Sequence, residues 1–67
     1  MEKLSLSEKV IIYRKRAGLM QYELAEKSGV SHLTILNIEN GYTNPQESTL
    51  RCIANALGVD ISELQEE

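Results

Sequence analysis

Apolar residues recur at helical spacing in five stretches of the chain. Leu6, Val10, Tyr13 and Ala17 are separated by 4, 3 and 4 positions, one inward stripe on a helix through EKVIIYRKRA. Ser5 and Glu8 have the form of a capping box at its start, and Gly18 is a natural left-handed residue past its end. QYELAEKS predicts a second, short helix with Leu24 and Ala25 inward, ended by Ser28 and Gly29. Val30 is an apolar plug, and Ser31 is a good N-cap for a third helix that stops at Asn40 and Gly41. YTNP is a turn, because Pro45 pushes Asn44 out of the helical region. ESTLRCIANAL buries Leu50, Ile53, Ala54 and Leu57 and stops at Gly58, and Asp60 with Glu63 has the form of a second capping box opening a last helix. The pattern predicts an all-α chain with helices at about 5–17, 21–28, 32–40, 46–57 and 61–66, and no strand.

The third helix raises a question of its own. At about 100° per residue, Ile35 and Ile38 set the inward direction and Leu33 points almost directly away, flanked by Leu36, Asn37 and Asn40. His32 lies near the N-terminal edge of that face, and no Lys or Arg accompanies it. One reading makes both leucines core, in a helix covered all round. The other leaves them exposed, and so short a chain offers few elements to cover them.

Composition narrows the class. Sixty-seven residues predict a single domain, 1–67, with its core at about 5–64. With three Tyr and no Phe or Trp, the core must come from Leu, Ile, Val and Ala. The longest apolar run, VIIY, is far short of a membrane span, and no signal peptide, repeat or linker is visible. Cys52 has no second cysteine to pair with, which predicts a reduced, cytoplasmic chain; the residue itself reads as a small packing group. One His and one Cys make no metal-ligand set, and no Gly-rich loop follows a strand, so no enzyme activity, cofactor, metal or small-molecule ligand is expected. The net charge of −3 disfavours a polyanion, but it is unevenly spread. Residues 1–34 hold six Lys and Arg against four acids (+2), and residues 35–67 hold Arg51 against six acids (−5).

A four-residue turn containing Gly between two short helices is the sequence form of a helix-turn-helix. MQYELAEKSGVSHLTILNIENG, followed by NP and LRCIANALGV, resembles the Cro and lambda-repressor-type (Xre) family over about residues 5–64. Ala25 stands where the family lets the two helices cross closely, Gly29 takes the turn, and Leu24, Val30, Ile35 and Ile38 fill the space between them. The resemblance implies a compact five-helix, lambda-repressor-like domain that binds double-stranded operator DNA, usually as a homodimer on a palindrome, with the third helix in the major groove. Carried over by position, His32, Leu33, Leu36 and Asn37 read bases; Gln21, Tyr22, Asn40 and Thr43 contact phosphate; and Arg14 pairs with Glu39 as a structural ion pair. Met20 stands where Ser or Thr usually caps the second helix, and such a loss costs about 1 kcal/mol. Ile11 and Ile12, at positions usually polar in the family, either cover the C-terminal helix or form a subunit contact.

These readings converge on a sequence-specific regulator of transcription. With so few cations, its DNA binding is expected to depend weakly on salt. The alternative is a protein-interaction module, antitoxin-like or adaptor, that uses the Leu33 and Leu36 face as its partner surface. Leu33 suits either a thymine methyl or a protein anchor; Asn37 beside it favours DNA, because Asn can bond adenine N6 and N7 together. His32 is a candidate donor to phosphate or guanine, against the plainer reading of a solvated surface residue. Ending at LQEE, the sequence is expected to leave no room for an effector domain.

Overall fold

The computed structural model describes residues 3–65. Four α-helices follow in order, α1 (Leu6–Arg16), α2 (Gln21–Ser28), α3 (His32–Glu39) and α4 (Glu47–Leu57), and a single 3-10 turn, Ile61–Glu63, closes them. The caps explain the boundaries. At the start of α1 the Glu8 N–H donates to Ser5 Oγ at 3.2 Å while the Ser5 N–H donates to Glu8 Oε1 at 2.9 Å, so two otherwise unmet donors are satisfied reciprocally. Past its end the Gly18 N–H donates to Lys15 O and the Leu19 N–H to Arg14 O, the double closure of a Schellman turn.

The fifth element differs from the expected helix 61–66, whose last residue lies outside those described. Asp60 Oδ1 accepts from the Ser62 N–H at 2.9 Å, but Glu63 does not complete a capping box. Its carboxylate accepts instead from the Tyr13 hydroxyl at 2.7 Å. Three residues form too short a segment to carry an α-helix on its own, and tertiary contacts set its shape. Leu64 is fully buried, Lys9 Nζ donates to Gln65 O at 2.9 Å, and the Arg16 guanidinium lies 5.5 Å from the Tyr13 ring centre.

Val10, Leu24, Ala25, Ile35, Ile38, Leu50, Ile53, Ala54, Ala56, Leu57 and Leu64 form one core. Leu6, Tyr13, Leu19, Val30, Val59 and Ile61 pack partly buried around it, and Ile11 and Ile12 are half-buried. Two expected core members are exposed. Ala17 sits at the cap of α1, beyond the last residue that packs, and Cys52 is a free, exposed thiol. Cys52 is one position, or about 100°, from Ile53, and the buried face of α4 is taken by Leu50, Ile53, Ala54, Ala56 and Leu57. α2 packs between α3 and α4, and α1 packs on α3. With α1 and α2 on its inner side, α3 keeps its other side uncovered.

Candidate nucleic-acid interface

The turn that presents α3 is built from local chemistry. Gly29 has φ 76°, a left-handed conformation, and no heavy atom lies within 4 Å of where a Cβ would stand. Glycine is therefore required by the backbone and not by space. The Val30 N–H donates to Ser28 Oγ at 3.2 Å, and Ser31 caps α3 by accepting from the Thr34 N–H at 3.1 Å. Ile35 and Ile38 hold the inner face, at 0% and 1% exposure.

The outer face is open. Leu33 is 66% exposed and Leu36 37%, so the reading that buries both is excluded. His32 and Asn40 are exposed beside them and Asn37 is half-buried. The Asn37 carboxamide has no hydrogen-bond partner among the described residues. That face carries no charge of either sign, because the acid of α3 is turned away from it. Glu39 accepts from Arg14 Nε at 2.6 Å, from Arg14 Nη2 at 3.0 Å and from Gln21 Nε2 at 3.0 Å. Arg14 Nη1 also donates to Leu19 O at 2.9 Å, so one guanidinium ties α1, the α1–α2 loop and α3 together. The carboxylate side chain is only 3% exposed, and its contacts offset the unfavourable placement of an acid near the C-terminal end of α3.

Around this face the structure sorts the other expected phosphate contacts. Gln21 spends one amide N–H on Glu39 and keeps a second, since a primary amide carries two donors. Met20 supplies no side-chain cap to α2; Glu23 accepts from the Met20 N–H at 2.8 Å, which keeps one half of a capping box and leaves unmade the half that a Ser or Thr would supply. Tyr22 is exposed and shares with Ser31 and His32 a shallow depression of about 560 Å³ across the turn. Asn40 and Thr43 are both exposed past α3, and Thr43 shares a small hollow with Ser5 and Ser7 at the start of α1.

Beside this face two exposed apolar residues stand outside the expected DNA contacts, Met20 at 63% and Tyr42 at 75%. Tyr42 has a local cause. Its N–H donates to Asn37 O at 2.9 Å and the Gly41 N–H donates to Ile38 O, which makes α3 end in a Schellman turn. The residue in the place of Tyr42 normally packs on the one in the place of Asn37, but Asn37 offers it no apolar surface. A Tyr two positions past a helix end, matched to a polar residue five before it, was the available signal. Of the six exposed large hydrophobics among the described residues, five (Met20, Tyr22, Leu33, Leu36 and Tyr42) fall between the start of α2 and the turn after α3.

The family model for HTH_3, described as helix-turn-helix, matches residues 10–64. The chain belongs to the HTH_3 helix-turn-helix family. The chain is similar to the immunity repressor protein of Bacillus phage phi105, 36% identical over 59 residues that cover 88% of this chain and 41% of the repressor. It is also similar to an uncharacterized HTH-type transcriptional regulator of Methanothermobacter thermautotrophicus, 46% identical over 46 residues, 69% of this chain and 67% of that one. In three dimensions it resembles the crystal structure of an HTH_3 family transcriptional regulator from Vibrio cholerae, with a TM-score of 0.84 and 30% identity. That match covers 88% of this chain and 33% of the Vibrio chain. The HTH_3 chain thus spans well under half of the phage repressor and of the Vibrio regulator. Among the described residues no helix is long and apolar enough to cross a membrane.

Proposed function

We propose that this HTH_3 chain binds double-stranded DNA by sequence and regulates transcription, with α3 in the major groove and α2 crossing the backbone. The observation that carries this reading is the uncovered outer side of α3, where Leu33 stands 66% exposed on a helix whose inner side is fully packed. His32, Leu33, Leu36 and Asn37 read base edges. Tyr22, Asn40, Thr43 and the second N–H of the Gln21 amide meet phosphates and set the register. The descriptions of the phage repressor and of the archaeal and Vibrio regulators lend the same support.

Few cations surround this face, so one copy binds weakly and two act together. A homodimer would place its two α3 helices one helical turn apart, about 34 Å, on a palindrome. Selection from a random duplex library at low salt tests this. A two-fold symmetric site with half-sites one turn apart is the expected product.

The exposed leucines also favour a second reading, a protein-interaction module of antitoxin or adaptor type. Asn37→Ala separates the two. It removes a base contact and weakens operator binding, whereas a hydrophobic protein contact through Leu33 and Leu36 tolerates it.

A further inference from the structure

Resting on the DNA-binding reading above, we infer that the half-site facing α3 is rich in A·T pairs. Leu33 and Leu36 recognise it through thymine C5-methyl groups, and Asn37 recognises an adjacent adenine.

Three observations carry this. First, the face lacks the side chains that read guanine best. The commonest specific contact in the major groove is Arg or Lys donating to guanine O6 and N7. No Lys or Arg occurs between Lys27 and Arg51, and the helix-turn-helix face of α3 falls inside that gap.

Second, the face also lacks a free carboxylate for cytosine. Reading the cytosine amino group calls for a carboxylate, and the carboxylate of α3, Glu39, is fastened by Arg14 and Gln21 with its side chain 3% exposed. The Arg, Lys and carboxylate routes to a G·C pair are therefore closed on this helix, which leaves His32, at its edge, and the carboxamides of Asn37 and Asn40 as its polar groups.

Third, what the face does offer matches A·T. Leu33 and Leu36 are one helical turn apart and project the largest apolar groups of α3 into solvent. The thymine methyl is the apolar group a B-DNA major groove presents. Asn37 lies about 40° around the helix from Leu33, and its carboxamide is unengaged among the described residues, free to donate to adenine N7 and accept from N6.

The test uses the duplex enriched by library selection, with thymines replaced one at a time by deoxyuridine. This deletes a single methyl and leaves every hydrogen-bonding group in place. Binding is read by fluorescence anisotropy for the wild-type chain and for Leu33→Ala, a substitution at an exposed position whose fold is checked by an unchanged melting curve. At one or two positions the wild type should bind the uracil duplex about four-fold more weakly. Leu33→Ala should bind the thymine duplex with a similar loss and bind the two duplexes equally.

A selected site dominated by G·C pairs opposite α3, or uracil tolerated at every position by the wild type, overturns the inference while leaving DNA binding intact. Equal sensitivity to uracil in Leu33→Ala overturns the assignment to Leu33. Failure to enrich any duplex removes the DNA-binding reading itself, and the inference with it, and assigns the leucine face to a protein partner.

Discussion

Arg14 grips Glu39 with two N–H groups, Nε to Oε2 at 2.6 Å and Nη2 to Oε1 at 3.0 Å. The two residues are 25 positions apart and both are largely shielded from water, with side-chain exposures of 12% and 3%. Removing one partner of such a pair leaves the other charge without compensation, at a cost of about 3–5 kcal/mol. Arg14→Ala should lower the melting temperature by roughly 10 °C or more, measured by far-UV circular dichroism. Arg14→Lys should fall between the two, because an ammonium keeps the charge but not the planar fork. An unchanged melting curve for Arg14→Ala would remove the pair from the account of stability.

Gln21 reaches the same carboxylate, its Nε2 donating to Glu39 Oε1 at 3.0 Å. Gln21→Ala should cost about 1 kcal/mol, the net worth of one hydrogen bond. Gln21→Glu should cost more near neutral pH, because it sets two carboxylates side by side. Like charges raise the folded pKa of one of them, so stability is present in acid and is lost as pH rises through that value. The two variants should therefore converge in melting temperature on acidification; a constant gap across the titration would contradict the contact.

The capping carboxylates should make the fold sensitive to acid. Bonds from the Ser5 backbone N–H and hydroxyl hold Glu8 below its ordinary value of 4.5, and the Ser62 N–H holds Asp60 below 3.8. Groups with depressed folded pKa values contribute stability above their ordinary values and lose it as pH falls through the folded ones. Tyr13 runs the other way. Its bond to Glu63 raises it above 10.0, so its contribution is complete below that pH and disappears as pH rises through the folded value. In urea titrations Glu8→Gln should flatten the acid limb of midpoint against pH, and Tyr13→Phe the alkaline limb. Parallel curves for wild type and variant would exclude each assignment.

Gly29→Ala isolates backbone strain, since no atom within 4 Å would clash with the added methyl. Holding a Cβ-bearing residue in the left-handed region costs about 1–2 kcal/mol. The urea midpoint should fall accordingly with the slope unchanged, and Gly29→Asn should cost less, because Asn visits that region more readily. Equal losses for Ala and Asn would point to a cause other than the left-handed backbone.

Salt dependence tests how little of the binding is ionic. With no cation on α3, the slope of log K against log salt should be shallower than about −6 per domain. A steeper slope would mean that phosphate neutralisation by Lys and Arg from elsewhere in the chain dominates.

Much of this architecture is readable along the chain because its causes are local. Ser5 with Glu8, and Ser31 with Thr34, sit three residues apart and cap helices whatever surrounds them. The 3.6-residue period placed Leu24, Ile35, Ile38, Leu50 and Ile53 inside. Where the reading failed, a distant partner competed with a local one. Glu63 matched a capping box in spacing, yet its carboxylate went to Tyr13, 50 positions away. Type and spacing place Cys52 and Ala17 inward, while the width of the packed face and the end of α1 leave them exposed.

The sequence by itself determined where α1 to α4 start and stop to within a residue or so, which residue turns between α2 and α3, and that Leu33 opposes Ile35 and Ile38. These follow from capping hydrogen bonds, backbone conformation and helical period, all of which act within a few residues. Only the tertiary structure decided that the Leu33 face stays uncovered, that Gln21 joins Arg14 on the Glu39 carboxylate, and that Glu63 clasps Tyr13. Burial and long-range hydrogen bonding depend on which elements come to lie against one another, and no spacing along the chain encodes that.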